Sequence, residues 1–219
     1  MSEIKNVEFA KNPEPRCPCI LLLDTSLSMD GQPINELNLG LKAFQAGIVD
    51  DKLAMQRVEI AIVTFGPVVI KQDFISASEF NAPQLSVADE TPMGEAIIRA
   101  LNLLSQRKKE YKKNGIQHFR PWIFLITDGA PTDGNDNWEK AKAALREAED
   151  KKKIAFFAVG VENADMNKLA ELSIRQPLQL KGLDFKNMFV WLSASLSSVS
   201  HSNPGDDVTL QTPMGWGTV

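Results

Sequence analysis

The chain has 219 residues, 43% of them hydrophobic and 24% charged, and a formal net charge of −4. That length suits one α/β domain with a sizeable core, and the mild acidity argues against a nucleic-acid partner, which calls for a basic face. No secretory apolar stretch follows Met1 and no run is long enough to cross a bilayer, so the expectation is a cytoplasmic protein without membrane contact.

Residues 1–16 are polar and Pro-containing and read as a lead-in segment to a domain over 17–200. Cys17 and Cys19 are too close for an unstrained disulfide and lack the spacing of a zinc site. They read as reduced thiols at the start of a strand, which suits the cytosol. Cys19-Ile20-Leu21-Leu22-Leu23-Asp24 is a short apolar run, the pattern of a strand buried on both faces. Asp24, Ser26 and Ser28 then place a carboxylate and two hydroxyls at alternate positions beyond its C-terminal end, where open α/β sheets bind ligands. Such small oxygen groups suit a small hard cation.

Leu37, Leu41, Phe44 and Ile48 mark a helix running to about Asp50. Val58 to Phe65 is a strand, and the Gly66-Pro67 turn leads at once into Val68 to Phe74, an antiparallel partner at the sheet edge. Thr91 offers a further hydroxyl, and Pro92 opens a helix with Ile97, Ala100, Leu101 and Leu104 on its core face. Pro121 to Thr127 is a second buried strand, ending in Asp128-Gly129. Asp133, Asn135 and Asp136 lack the glycine and terminal glutamate of a calcium loop and read as a turn and a helix cap. A helix over about 136–150, a strand over 154–161, a short helix near 166–172, a weak strand near 177–180 and a helical repeat from Phe185 to Leu196 complete the alternation. The expected fold is α/β: a doubly wound, mostly parallel sheet with one antiparallel edge strand and helices on both faces. The lysines at 108–109, 112–113 and 151–153 fall where helices end, and read as solvated cations offsetting negative helix termini. Residues 201–219 form a tail in which Thr212-Pro213-Met214-Gly215 echoes Thr91-Pro92-Met93-Gly94, and Trp216 is expected to pack on the domain or in a partner's groove.

Asp24-Thr25-Ser26-Leu27-Ser28, Thr91 and Thr127-Asp128-Gly129, taken together, resemble the metal-ion-dependent adhesion site of von Willebrand factor A domains. The resemblance covers about 17–200. The wording Arg16-Cys17-Pro18-Cys19, Thr91-Pro92-Met93-Gly94 and Thr127 to Asp133 is similar to the bacterial TerY-like group associated with tellurite resistance and stress defence. It implies a metal site at Asp24, Ser26, Ser28, Thr91 and Asp128. It also implies a protein partner that completes the metal shell with an acidic side chain, among kinase-like or phosphatase-like proteins of the same system. With three neutral hydroxyls and two carboxylates, Mg²⁺ or Mn²⁺ fits better than Ca²⁺. Leu27 departs from the small residue frequent in the family, and Asp89 and Glu90 add negative charge before Thr91.

The sequence weighs against catalysis. A haloacid-dehalogenase phosphatase also carries an Asp at the end of its first strand, but needs a second acid two residues on, where this chain has Ser26. No phosphate-binding or dinucleotide glycine motif follows a strand. The expected function is a metal-dependent protein-interaction module without enzyme activity.

Overall fold

The computed structural model describes residues 9–88, 90–213 and 215–218. Half of the lead-in, Asp89 and Met214 of the tail echo therefore lie outside the described residues. Seven strands form one sheet in the order β3-β2-β1-β4-β5-β6-β7. They are β1 (Cys17–Asp24), β2 (Val58–Phe65), β3 (Val69–Ser76), β4 (Trp122–Thr127), β5 (Ala155–Gly160), β6 (Leu178–Leu180) and β7 (Gly217–Thr218). The central strands β2, β1, β4, β5 and β6 run parallel. β3 and β7 are antiparallel edges. The second antiparallel edge corrects the expectation of one: a two-residue strand carries no readable alternation.

The helices are α1 (Gln32–Val49), α2 (Lys52–Arg57), α3 (Met93–Lys113), α4 (Asn135–Asp150), α5 (Met166–Ala170) and α6 (Phe185–Ser200). Successive strand residues point to opposite faces, so β1 feeds two cores. Leu21 and Leu23 join Leu37, Phe44, Phe189 and Leu192 under α1 and α6. Ile20 and Leu22 join Ile97, Ala100, Leu104 and Leu145 under α3 and α4. Each of these fully buried Leu, Ile or Phe side chains contributes about 1.5–3 kcal/mol. Both faces being covered explains why β1, β2 and β4 read as near-continuous apolar runs.

The chain leaves β1 for β2 on one side and reaches β4 on the other. The strand order thus reverses between β1 and β4, and the crevice at their C-terminal ends is where such sheets bind ligands. Asp24 ends β1, and Asp128 follows Thr127 at the end of β4.

Candidate metal centre

Asp24 is fully buried, which is costly for a carboxylate unless its oxygens are satisfied. One oxygen accepts the Ser26 N–H at 2.8 Å and the other accepts the Thr127 hydroxyl at 2.5 Å. Thr127 Oγ1 in turn accepts the Gly129 N–H at 3.2 Å. Ser28 donates to Asp128 Oδ1 at 2.7 Å. The Ser26 and Ser28 hydroxyls lie 3.0 Å apart, within hydrogen-bond distance of each other. Asp24, Ser26, Ser28 and Asp128 therefore sit in one hydrogen-bonded group that also contains Thr127.

Thr91 reaches the same group. A β-carbon placed on Gly129 would lie 3.6 Å from Thr91 Oγ1 and 4.0 Å from Ser28 Oγ, so glycine leaves the space between the two hydroxyls open. Two hydrogen bonds with Thr132 hold the Thr91 loop there. Thr91 N–H bonds the Thr132 hydroxyl at 3.1 Å, and Thr132 N–H bonds the Thr91 carbonyl at 2.9 Å. On the other side Gly66, with φ of 114°, permits a close approach that any side chain would block. A β-carbon there would stand 2.7 Å from the Ala88 carbonyl oxygen and 2.8 Å from Ser26 N.

The electrostatics are unbalanced. Burial pushes Asp24 above the ordinary carboxylate range, hydrogen bonds from Ser26 and Thr127 oppose this, and nearby Asp128 adds to it. Burial likewise raises Asp128, with Ser28 opposing and Glu162 adding. Among the described residues, no Lys, Arg or His pairs with either carboxylate. No cluster of three or more His, Cys, Asp or Glu that could hold a metal occurs among them either. A cation here would depend on the hydroxyls. Five hard oxygen groups with two negative charges and no counter-charge fit Mg²⁺ or Mn²⁺, which keep waters in their shells.

Leu27 is 64% exposed beside this group, so it extends outward and does not close the crevice. Sequence reasoning noted Thr127 only as part of the Thr127-Asp128-Gly129 wording and missed its bond to Asp24. It also missed the reach of Asp133. Expected as a local turn or cap, Asp133 accepts the N–H groups of Gly94 at 2.7 Å and Glu95 at 2.9 Å, capping the distant helix α3. Asp133 thus joins the loop after β4 to the helix that begins beside Thr91.

The profile of the von Willebrand factor type A domain matches residues 19–180. Among solved structures, the chain is similar to the pilus adhesin SpaC of Lactobacillus rhamnosus GG in its open conformation, at 14% identity and a TM-score of 0.67. The match covers 84% of this chain and 30% of the adhesin. It is also similar to proximal thread matrix protein 1 of the mussel byssus, at 15% identity and a TM-score of 0.56, covering 86% of this chain and 47% of that one. The chain spans less than half the length of either structure, and at these identities the likeness is one of fold. No curated protein matches the chain. Among the described residues no helix is long and apolar enough to cross a membrane.

Proposed function

The chain belongs to the von Willebrand factor type A family, and on that premise we propose that it is a metal-dependent protein-interaction module without catalysis of its own. The observation that carries this reading is the joined group of Asp24, Ser26, Ser28 and Asp128, with Thr91 beside it, at the switch point of the sheet and without a cationic partner. Asp24, Ser26, Ser28, Thr91 and Asp128 hold one Mg²⁺ or Mn²⁺. When bound, the ion supplies an electrophilic position open to an outside oxygen. Hydroxyl ligands are neutral, so the ion keeps much of its charge and attracts a further carboxylate from a protein partner. Asp24 and Thr127 set the floor of the site, and the Thr91 and Gly66 loops fix the positions of the hydroxyls.

The phosphatase alternative lacks its general acid: the residue two after Asp24 is Ser26, engaged with Ser28. The motif wording supports a bacterial stress or tellurite-resistance role in the cytoplasm, with a kinase-like or phosphatase-like partner.

Calorimetry on metal-stripped protein tests the site. Wild type takes up one Mg²⁺ or Mn²⁺, and Asp24→Ala takes up none. At a metal concentration of 100 times Kd, the bound ion stabilises the fold by about 2.7 kcal/mol. At about 2–4 °C per kcal/mol for a domain of this size, Tm rises by roughly 5–11 °C. Equal uptake by the two proteins rejects the assignment.

A further inference from the structure

A cavity of about 740 Å³ opens at the N-terminal ends of β4 and β5, opposite the end that carries Asp24 and Asp128. Lys108, Arg120, Lys152, Lys153 and Arg175 line it, against two carboxylates, Asp206 and Asp207. That volume is in the range of small-molecule sites, and Trp122 supplies part of an apolar wall.

The cations crowd one another. Lys108 Nζ bonds the Lys153 carbonyl at 2.7 Å, which brings the two lysines together. Burial and then the Lys153 charge hold Lys108 below its ordinary pKa. Burial lowers Arg120 too, with Arg175 as the next cause, while Glu149 and Asp207 act the other way. Glu149 accepts from Arg175 at 2.5 Å and offsets that one charge. Lys152 and Lys153 form no ion pair among the described residues.

Lys152 stands out a second time. At the end of α4, Lys152 N–H bonds the Glu149 carbonyl and Lys153 N–H bonds the Ala148 carbonyl, both at 2.8 Å. This is a Schellman motif, whose left-handed residue is usually glycine. Here it is Lys152, at φ of 52°. A lysine thus stands at the cavity rim at a position where the backbone favours a residue without a side chain.

We propose that this cavity binds a small polyanion of the phosphate class, carrying two or more negative charges. Like charges gathered around one cavity repel until an anion lies between them. Asp206 and Asp207 line the same cavity and offset part of this charge. Free polyphosphate and a nucleotide share this chemistry, and the apolar part of the wall is a surface that only a nucleotide's base would use.

Pyrophosphate and ADP are titrated separately into the full chain in metal-free buffer at low salt, with calorimetry and amide NMR as readouts. One site is expected, with shifts at Lys152, Lys153 and Arg120 and none at Asp24. Tighter binding of ADP identifies the nucleotide class, and equal binding identifies polyphosphate. Lys152→Gly suits the left-handed backbone and so preserves the helix end; combined with Lys153→Gln it weakens binding by about tenfold. Asp207→Asn tightens it severalfold. Absence of binding by both probes at millimolar concentration overturns the proposal. So does affinity unchanged in the double variant, or shifts confined to the Asp24 end.

Discussion

Asp24 is a fully buried carboxylate with no cationic partner among the described residues. Its carboxylate has a pKa raised first by burial, so the folded state holds the proton more tightly than the unfolded chain. The sign follows: the metal-free fold is most stable below the unfolded pKa of Asp24 and loses stability as pH rises through the folded one. Asp24→Asn removes the charge and keeps an oxygen to accept the Ser26 N–H, while Thr127 can turn its hydroxyl to accept from the new amide. The expected outcome in metal-free buffer is a Tm above wild type at neutral pH, a difference that closes on acidification. With Mg²⁺ the order reverses, because only wild type gains from the ion. Thermal scans across pH, with and without Mg²⁺, check this; a lower Tm for Asp24→Asn at neutral pH without metal rejects it. At this scale the sequence was legible where a polar residue stands out against an apolar run, as Asp24 and Asp128 do. It showed Gly66 only as a turn signal, Thr127 only as motif wording and Asp133 only as a turn or cap, because their further roles depend on which loops meet.

Helix α3 shows what the sequence withholds at the scale of elements. The helix itself was readable from Ile97, Ala100 and Leu104, and its start was placed within one residue. Its cap was not, because Asp133 arrives from 38 residues away to bond Glu95 N–H. A neighbour in sequence would have been a recognisable N-cap signal. Asp133→Ala is expected to cost about 1 kcal/mol, the usual loss of an N-cap. It should also weaken Mg²⁺ binding, since Thr91 lies on the strip of chain that Asp133 anchors. Denaturation curves and metal titration on the same variant separate the two effects. Loss of stability with unchanged metal affinity would confine Asp133 to capping. The β2–β3 hairpin, by contrast, was legible in its pairing, because its turn signal and both strands are local, although β3 runs two residues further, to Ser76. The β6–β7 pair was not, since β7 pairs through Gly217 and Thr218, far along the chain from β6.

Across the whole molecule, two long-range fastenings hold the first and last described segments to the sheet; the Glu59 cluster was not visible in the sequence, whereas packing of Trp216 on the domain was one of its two expected placements. Glu59, fully buried on β2, accepts from Arg16 at 3.0 Å and from Arg107 at 2.8 and 2.6 Å, and takes a hydrogen bond from Tyr111. Phe9 covers the group, with the Arg107 guanidinium 4.8 Å from its ring centre. Glu59→Gln leaves the buried Arg16 without its carboxylate and Arg107 with Glu110 but without its buried one, and a loss of about 3–5 kcal/mol is expected. Metal binding by the surviving folded fraction should be unchanged, because this cluster lies at the opposite end of the strands from Asp24. Urea unfolding followed by Mg²⁺ titration checks both halves.

At the other terminus Trp216 is 2% exposed and packs 5.4 Å from Trp191, ring centre to ring centre. The Lys181 N–H bonds the Trp216 carbonyl at 2.8 Å, and Trp191 donates its indole N–H to the Gln211 carbonyl at 2.8 Å. Trp216 therefore fills the domain's own core, and the alternative of a partner's groove falls away. Its indole N–H is buried without an acceptor among the described residues. The ring thus stabilises by packing while its nitrogen costs about 1–3 kcal/mol. The two parts separate by substitution. Trp216→Ala removes both and should cost about 3–5 kcal/mol, lowering Tm by roughly 6–20 °C. Trp216→Phe keeps most of the ring and removes the unsatisfied donor, so its Tm should stay close to wild type. Equal losses in the two variants would mean that the indole shape, and not apolar area, holds the C-terminal segment in place. No loss in either would mean that the sheet edge is stable without it.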